Sequence, residues 1–179
     1  LKFINQQLIK DTNMKHLYTS IYHNPGISRA HLSKQTALSK TTVSTLIDEL
    51  IERNFILDGG AGESGTTGRK PNQLYIRRNS HFVVVFNWYE NRIYTHLVDI
   101  AGTSVFQEAC ELKQGEAYVS ASRNCFQNSV LQHCAPDEIL GICVVIAAMI
   151  DEKHGEIYST TISLPSMEGS QILDSLKEA

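Results

Sequence analysis

Residues Ile27 to Asn54 read ISRAHLSKQTALSKTTVSTLIDELIERN, and the way this stretch divides decides the fold of the N-terminal half. Ser28 and Ser39 each stand just before a run with helical apolar spacing, where a serine hydroxyl caps free backbone N–H groups. From Ser39 onward, Val43, Leu46, Ile47, Leu50 and Ile51 recur at helical period and form one apolar stripe. At about 100° per residue, that stripe leaves Thr41, Ser44, Thr45 and Asp48 on the opposite side, flanked by Lys40 and Thr42. A helix with an apolar back and a front of small hydroxyls beside a lysine suits the DNA major groove. The spacing therefore predicts a helix-turn-helix with its recognition helix at residues 40–53.

Working outward, KFINQQLIK (residues 2–10) reads as a short amphipathic helix, and Asn13 as the N-cap of a longer one carrying Met14, Leu17, Tyr18, Ile21 and Tyr22. His23-Asn24-Pro25-Gly26 ends that helix. In the first helix of the motif, Ala30 and Leu32 are expected in the core and Arg29 and Lys34 outside. Downstream, Phe55 to Asp58 reads as a strand, Gly59 to Pro71 as a glycine-rich loop, and Asn72 to Arg77 as a returning strand. Strand, loop and strand after a recognition helix make a wing, which gives a winged helix-turn-helix domain over residues 1–78.

Residues 79–179 change character and are expected to form a second, α/β domain. FVVVFNW (82–88) reads as a strand buried on both faces, Asn91 to Asp99 as its hairpin partner, and Thr103 to Leu112 as a third strand. Gly115 to His133 reads as a helix with Ala117, Val119, Phe126, Val130 and Leu131 inward. ILGICVVIAAMI (139–150) reads as another buried strand, Glu156 to Thr161 as a further strand, and Ser170 to Lys177 as a helix. Strands in a meander, a helix and a returning strand give α/β layering.

Charge separates the two parts. Residues 1–78 hold 11 Lys/Arg against 6 Asp/Glu, whereas residues 79–179 hold 5 against 13, within a total of −3. A basic module joined to an acidic one suits nucleic-acid binding by the first alone. Within the basic part, Ser28 and Arg29 at a helix N-terminus are placed for a phosphate. Lys40, Thr41, Thr42, Ser44 and Thr45, with Ser39 at the cap, face base edges and backbone. Arg69 and Lys70 at the wing exit reach toward a minor groove.

Other chemistries find little support. Residues 60–67 nearly fit a phosphate loop, but Thr66 stands where its lysine belongs, and Gly68 and Pro71 block the helix that must follow. Seven scattered histidines show no HxxxH or HExxH. Cys110, Cys125, Cys134 and Cys143 lie far apart without a CxxC, so the spacing points to reduced thiols and argues against a zinc site. Asp99, Asp151 and Glu152 fall at strand ends and turns, where acidic residues serve conformation. No apolar run approaches the ~18 residues of a membrane helix, and a cytoplasmic protein is expected. The Leu1 start and the helical look of the last residues suggest a piece of a longer chain.

SRAHLSKQTALSKTTVSTLIDELIERNFI followed by TGRKPNQLYI resembles the N-terminal region of the ROK family of bacterial regulators and sugar kinases. LVDIAG and LGICVVIAAMIDEKHGEIYSTTISL resemble the first part of that family's kinase-like half. The resemblance covers roughly residues 13–165. It implies the first part of an actin-like ATPase fold after residue 78 and a homodimer or tetramer. It further implies repression of sugar-uptake or catabolic genes through a double-stranded DNA operator, with a sugar or sugar phosphate as effector. Family kinases carry Asp-x-Gly-Gly-Thr on the first hairpin, where this chain has Asn87, Trp88, Tyr89, Glu90 and Asn91. Bulky and charged residues there keep backbone amides from closing on a phosphate. The later Pro-Gly is Ala147-Ala148. The expectation is a regulator that is not an enzyme, with no catalytic, cofactor or metal residues; a ROK-type sugar kinase with an appended DNA-binding domain is the alternative. The family's sugar-contacting pair, catalytic Asp and zinc cluster lie beyond the matched region.

Overall fold

A computed structural model describes residues 6–61, 72–151 and 156–160. The chain divides into two units, Leu1–Ser80 and His81–Ala179.

The N-terminal unit consists of α1 (Gln6–His23), α2 (Arg29–Thr36), α3 (Lys40–Glu52), β1 (Ile56–Ala61) and β2 (Asn72–Ile76). The helix break expected at Asn13 does not occur: α1 runs through it. Nothing between Lys10 and Met14 removes a backbone donor or needs positive φ. The Thr12 hydroxyl donates back to the Leu8 carbonyl at 2.7 Å, and the Gln7 amide to Asp11 at 2.8 Å, so local polar groups reinforce the turn. Residues 2–5 lie outside the described residues.

The α2–α3 pair is built from its caps. Ser28 Oγ accepts from the His31 N–H at 3.3 Å, and Ser39 Oγ from the Thr42 N–H at 3.0 Å. Between the helices Ala37 adopts φ 57°, the left-handed region that disfavours a side chain bearing Cβ. Ala37→Gly should therefore raise the unfolding free energy by about 0.5–1 kcal/mol, read as a higher midpoint in urea. Beyond α3, Asn54 (φ 61°) donates to the Ile51 carbonyl and Phe55 N–H to Leu50, a Schellman closure that turns the chain directly into β1.

Ile47, Val43, Leu46 and Leu50 pack with Met14, Leu17, Ile21 and Leu32 and with wing residues Ile56 and Leu74 in one buried cluster. Ala30, expected inside, is exposed, because α2 turns Leu32 inward. β1 and β2 pair antiparallel, Ile56 opposite Ile76 and Asp58 opposite Leu74. β1 continues to Ala61, so two glycines expected in the loop belong to the strand. At Gly59 an added Cβ would fall 2.7 Å from the Tyr75 ring, which explains why glycine suits that position. Leu74 N–H donates to the Ile27 carbonyl and Gly26 N–H to Leu74, fastening the wing to the start of the motif. Residues 62–71 lie outside the described residues, including the phosphate-loop look-alike beyond Ala61.

The C-terminal unit centres on a four-stranded sheet in the order β5-β4-β3-β6. Its strands are β3 (Phe82–Tyr89), β4 (Arg92–Asp99), β5 (Ser104–Glu111) and β6 (Ile139–Ile146). The first three form an antiparallel meander and β6 returns parallel to β3. β7 (Ala148–Asp151) and β8 (Glu156–Thr160) form a separate hairpin. The helix is shorter than expected: α4 spans Tyr118–Asn128, then a 3-10 turn at Val130–Gln132. Its buried positions are Tyr118, Ala121, Ser122 and Cys125; of the residues predicted inward, Val130 is fully buried, Val119 and Phe126 are half-buried against the same core, and Ala117 and Leu131 are half-buried.

α4 covers one sheet face. Phe82, Val84, Phe86 and Trp88 alternate inward with Ile93 and Leu97, while Val83, Val85 and Asn87 on the other face are half-buried, so β3 is not buried on both sides. β6 departs further from expectation. The apolar run 139–150 breaks at Ala147, and Leu140, Ile142 and Val145 are 51%, 52% and 44% exposed. Val145 pairs with Asn87 on the face away from α4 and Ile142 with Val84 on the α4 side, so among the described residues it is the place of β6 at the sheet's edge that leaves them in solvent. Asp99 serves conformation as expected, its Oδ1 accepting from the Ala101 and Thr103 amides at 3.0 and 2.8 Å. No helix among the described residues is long and apolar enough to cross a membrane. Residues 161–179, with the predicted helix at 170–177, lie outside the described residues.

Candidate nucleic-acid interface

α3 offers solvent the face its sequence implies: Lys40, Thr41, Thr45 and Asp48 are exposed, and Thr42 and Ser44 half-exposed. The buried stripe behind them fixes the helix rotation. Lys40 and the free amides of the first turn make the N-terminal end electropositive. Thr42 is partly committed, its hydroxyl 2.8 Å from Ser39 Oγ within the cap. Ser28 and Ser39 thus act first on helix geometry.

Arg29 differs most from a free phosphate ligand. Its Nη1 donates to Asp48 Oδ1 at 2.7 Å, to Ser44 Oγ at 3.0 Å and to the Ser44 carbonyl at 3.3 Å. Its Nη2 lies 3.9 Å from Asp58 Oδ2. Asp58 in turn accepts from the Gly60 amide and the Asn72 side chain at 3.1 and 3.0 Å. One guanidinium therefore links α2, the front of α3 and the base of the wing, and its charge offsets Asp48 on the face that would meet phosphates. Sequence reasoning misses Asp58 and Asn72 because their partners are remote along the chain. Arg69 and Lys70 lie outside the described residues.

A second polar cluster lies in the C-terminal unit. Glu108, Cys110 and Cys125 bring a carboxylate oxygen and two sulfurs within 4.8 Å of one another. Burial, with help from Cys110, pushes the Cys125 thiol up to about 12. A cleft of about 480 Å³ lies against Asn91, Lys113, Glu116 and Tyr118, open to solvent and without a converging set of catalytic groups.

Residues 10–56 match the family described as winged helix-turn-helix DNA-binding. Over 157 residues the chain is 30% identical to the xylose repressor of Caldicellulosiruptor bescii, covering 86% of this chain and 39% of that protein. A putative xylose repressor of Caldicellulosiruptor sp. (strain Rt8B.4) is 29% identical over the same shares. The xylose repressor of Bacillus subtilis is 26% identical over 161 residues, 87% of this chain and 41% of that one. In fold, the chain matches the crystal structure of a ROK family transcriptional regulator, a homolog of the E. coli MLC protein. The TM-score is 0.70 at 16% identity, over 94% of this chain and 44% of that one. The chain therefore shares the fold of a ROK family transcriptional regulator and is similar in sequence to these xylose repressors.

It is a mixed α/β chain with an N-terminal winged helix-turn-helix, and it spans about two fifths of the length of these curated relatives. All three relatives are named as repressors, and in this chain the residues Asn87 to Asn91 lie on the β3–β4 hairpin. In that hairpin Tyr89 pairs with Arg92, so just two residues, Glu90 (φ 52°) and Asn91, turn the chain. Trp88 before them is fully buried, and Tyr89 and Glu90 stand exposed.

Proposed function

We propose that the chain is the DNA-reading and adjoining α/β portion of a transcriptional repressor of sugar metabolism that is not an enzyme. The observation that carries this is the exposed hydroxyl-and-lysine face of α3, capped by Ser39 and held by a buried stripe inside a winged helix-turn-helix. Lys40, Thr41 and Thr45 would meet the major groove, Ser44 with them, while Ser28, Ser39 and Thr42 hold the helix ends that approach the backbone. Arg69 and Lys70 would extend the contact from the wing. Two copies in a homodimer would set their recognition helices about 34 Å apart on a roughly palindromic operator. The domain boundary near residue 78 leaves the basic part for DNA and the acidic part for subunit contact and effector response. The names of the xylose-repressor relatives favour xylose or a related sugar as effector, acting by favouring one placement of the paired DNA-binding heads. Their names also suit a cytoplasmic location.

The test is fluorescence anisotropy with a duplex selected from a random pool, with and without xylose. The expected result is tight, salt-dependent binding to the selected duplex and much weaker binding to a scrambled one. Thr41→Ala should weaken the selected complex by about tenfold, within the ~1–3 kcal/mol that a good base contact discriminates. It should leave the scrambled complex nearly unchanged. Equal affinity for selected and scrambled duplex would end the reading as a sequence-specific regulator. ATP-dependent phosphorylation of a sugar by the intact protein would overturn its non-enzymatic part.

A further inference from the structure

We propose that Glu108, Cys110 and Cys125 form a structural site for a soft divalent transition-metal ion of the zinc class, held between β5 and α4. The strand period of two sets Glu108 and Cys110 on the same face of β5, and Cys125 meets them from the buried face of α4. All three ligand atoms lie within 4.8 Å of one another. Two bonds of about 2.3 Å at tetrahedral angles separate zinc-bound sulfurs by about 3.8 Å. The Cys110 and Cys125 sulfurs are 3.2 Å apart, so modest side-chain rotation opens room for an ion.

Two further observations point to a ligand. Glu108 Oε2 accepts from the Ser129 hydroxyl at 3.0 Å, which fixes the carboxyl group, while Oε1 is buried without a hydrogen-bond partner. Thr95 lies directly opposite Glu108 on β4 and is fully buried, its hydroxyl set against the Cys125 sulfur, where it favours the thiolate. A buried carboxylate oxygen without a partner carries a desolvation cost that a cation removes. Two sulfurs and one oxygen select a zinc-class ion over magnesium or calcium, which favour all-oxygen shells. Thr95 or a water is the candidate for the fourth position. Ser129 is the outer partner orienting the carboxylate. Sequence spacing hid this set, because the strand and the helix contribute one short piece each.

The experiment uses the whole chain, reduced and stripped with chelator, titrated with cobalt(II) and then zinc(II). Expected are a thiolate-to-cobalt charge-transfer band saturating at one ion per chain, its loss when zinc displaces cobalt, and a higher melting temperature with zinc. Cys110→Ser and Cys125→Ser should abolish the band, Cys143→Ser should leave it, and Glu108→Gln should weaken binding by about tenfold or more. Zinc should also slow alkylation of Cys110 and Cys125 in the unmutated chain but not of exposed Cys143, a readout that needs no variant to fold. No thiolate band at saturating cobalt, or a band that survives Cys125→Ser, overturns the site. So does recovery of Cys110–Cys125 as a disulfide from a chain that, once reduced, binds no cobalt.

Discussion

Trp88→Ala lowers the unfolding free energy of the C-terminal unit by about 3–5 kcal/mol. The indole is fully buried at the end of β3, its ring centroid 5.2 Å from that of Tyr118. Its Nε1 donates to Ser122 Oγ at 2.9 Å across the sheet–helix interface. Truncation opens a cavity that the alternating Phe86, Ile93 and Tyr118 side chains cannot all collapse into. It also leaves the Ser122 hydroxyl, itself 2% exposed, without its donor. Against a typical total of ~5–15 kcal/mol, that loss brings the unit close to unfolding at physiological temperature. Urea denaturation followed by circular dichroism measures it. Ser122→Ala separates the two contributions, since it removes the bond and little volume, at a cost of about 1–2 kcal/mol. Because Trp88 is the chain's single tryptophan, its emission follows the Ser122→Ala transition directly. A Trp88→Ala midpoint equal to that of the unmutated chain would mean the indole is not the keystone of this core.

Arg29→Ala reduces affinity for the selected duplex by about tenfold or more, equivalent to roughly 1.4 kcal/mol. The loss acts through Asp48. With the guanidinium gone, the Asp48 carboxylate faces phosphates uncompensated, and Ser44 loses the donor that holds its hydroxyl. A double-mutant cycle decides between this route and a direct phosphate contact. If Arg29 works by neutralising Asp48, then Arg29→Ala with Asp48→Ala recovers most of the lost affinity. If Arg29 touches a phosphate itself, the double variant stays as weak as the single one and the salt slope falls by about one contact. Surface ion pairs of this kind contribute only ~0–1 kcal/mol to folding, so thermal stability should change much less than DNA affinity.

The local chemistry of the motif is legible in the residues alone. Ser28 and Ser39 cap by interactions confined to the next three residues, and the stripe Val43–Leu50 needs no partner to be recognised. Signals fail where tertiary context decides them. Asn13 has a cap-forming side chain, but an intact helix on both sides outweighs it. The run at 139–150 has the hydrophobicity of a buried strand, whereas its exposure depends on being the sheet's edge, which composition does not encode. Arg29 is legible as a cation at a helix N-terminus. Its turn toward Ser44 and Asp48 depends on how α2 crosses α3. The Glu108–Cys110–Cys125 group depends on β5 and α4 meeting, and widely spaced cysteines carry no trace of it.

The parallel pairing of β6 with β3 also orders events on the ribosome. The winged motif is complete once Ile76 has been made, and its strands and helices join near neighbours, so it can close while the sheet is still being synthesised. The β3–β4–β5 meander can follow at once by hairpin closure. The outer edge of β3, however, waits through the synthesis of β4, β5 and α4 before Ile139–Ile146 arrives to pair with it. During that interval a nascent chain displays an unpaired, apolar strand edge after the winged unit has closed. Completion of the four-stranded sheet is therefore timed by the arrival of β6, and the winged unit comes first.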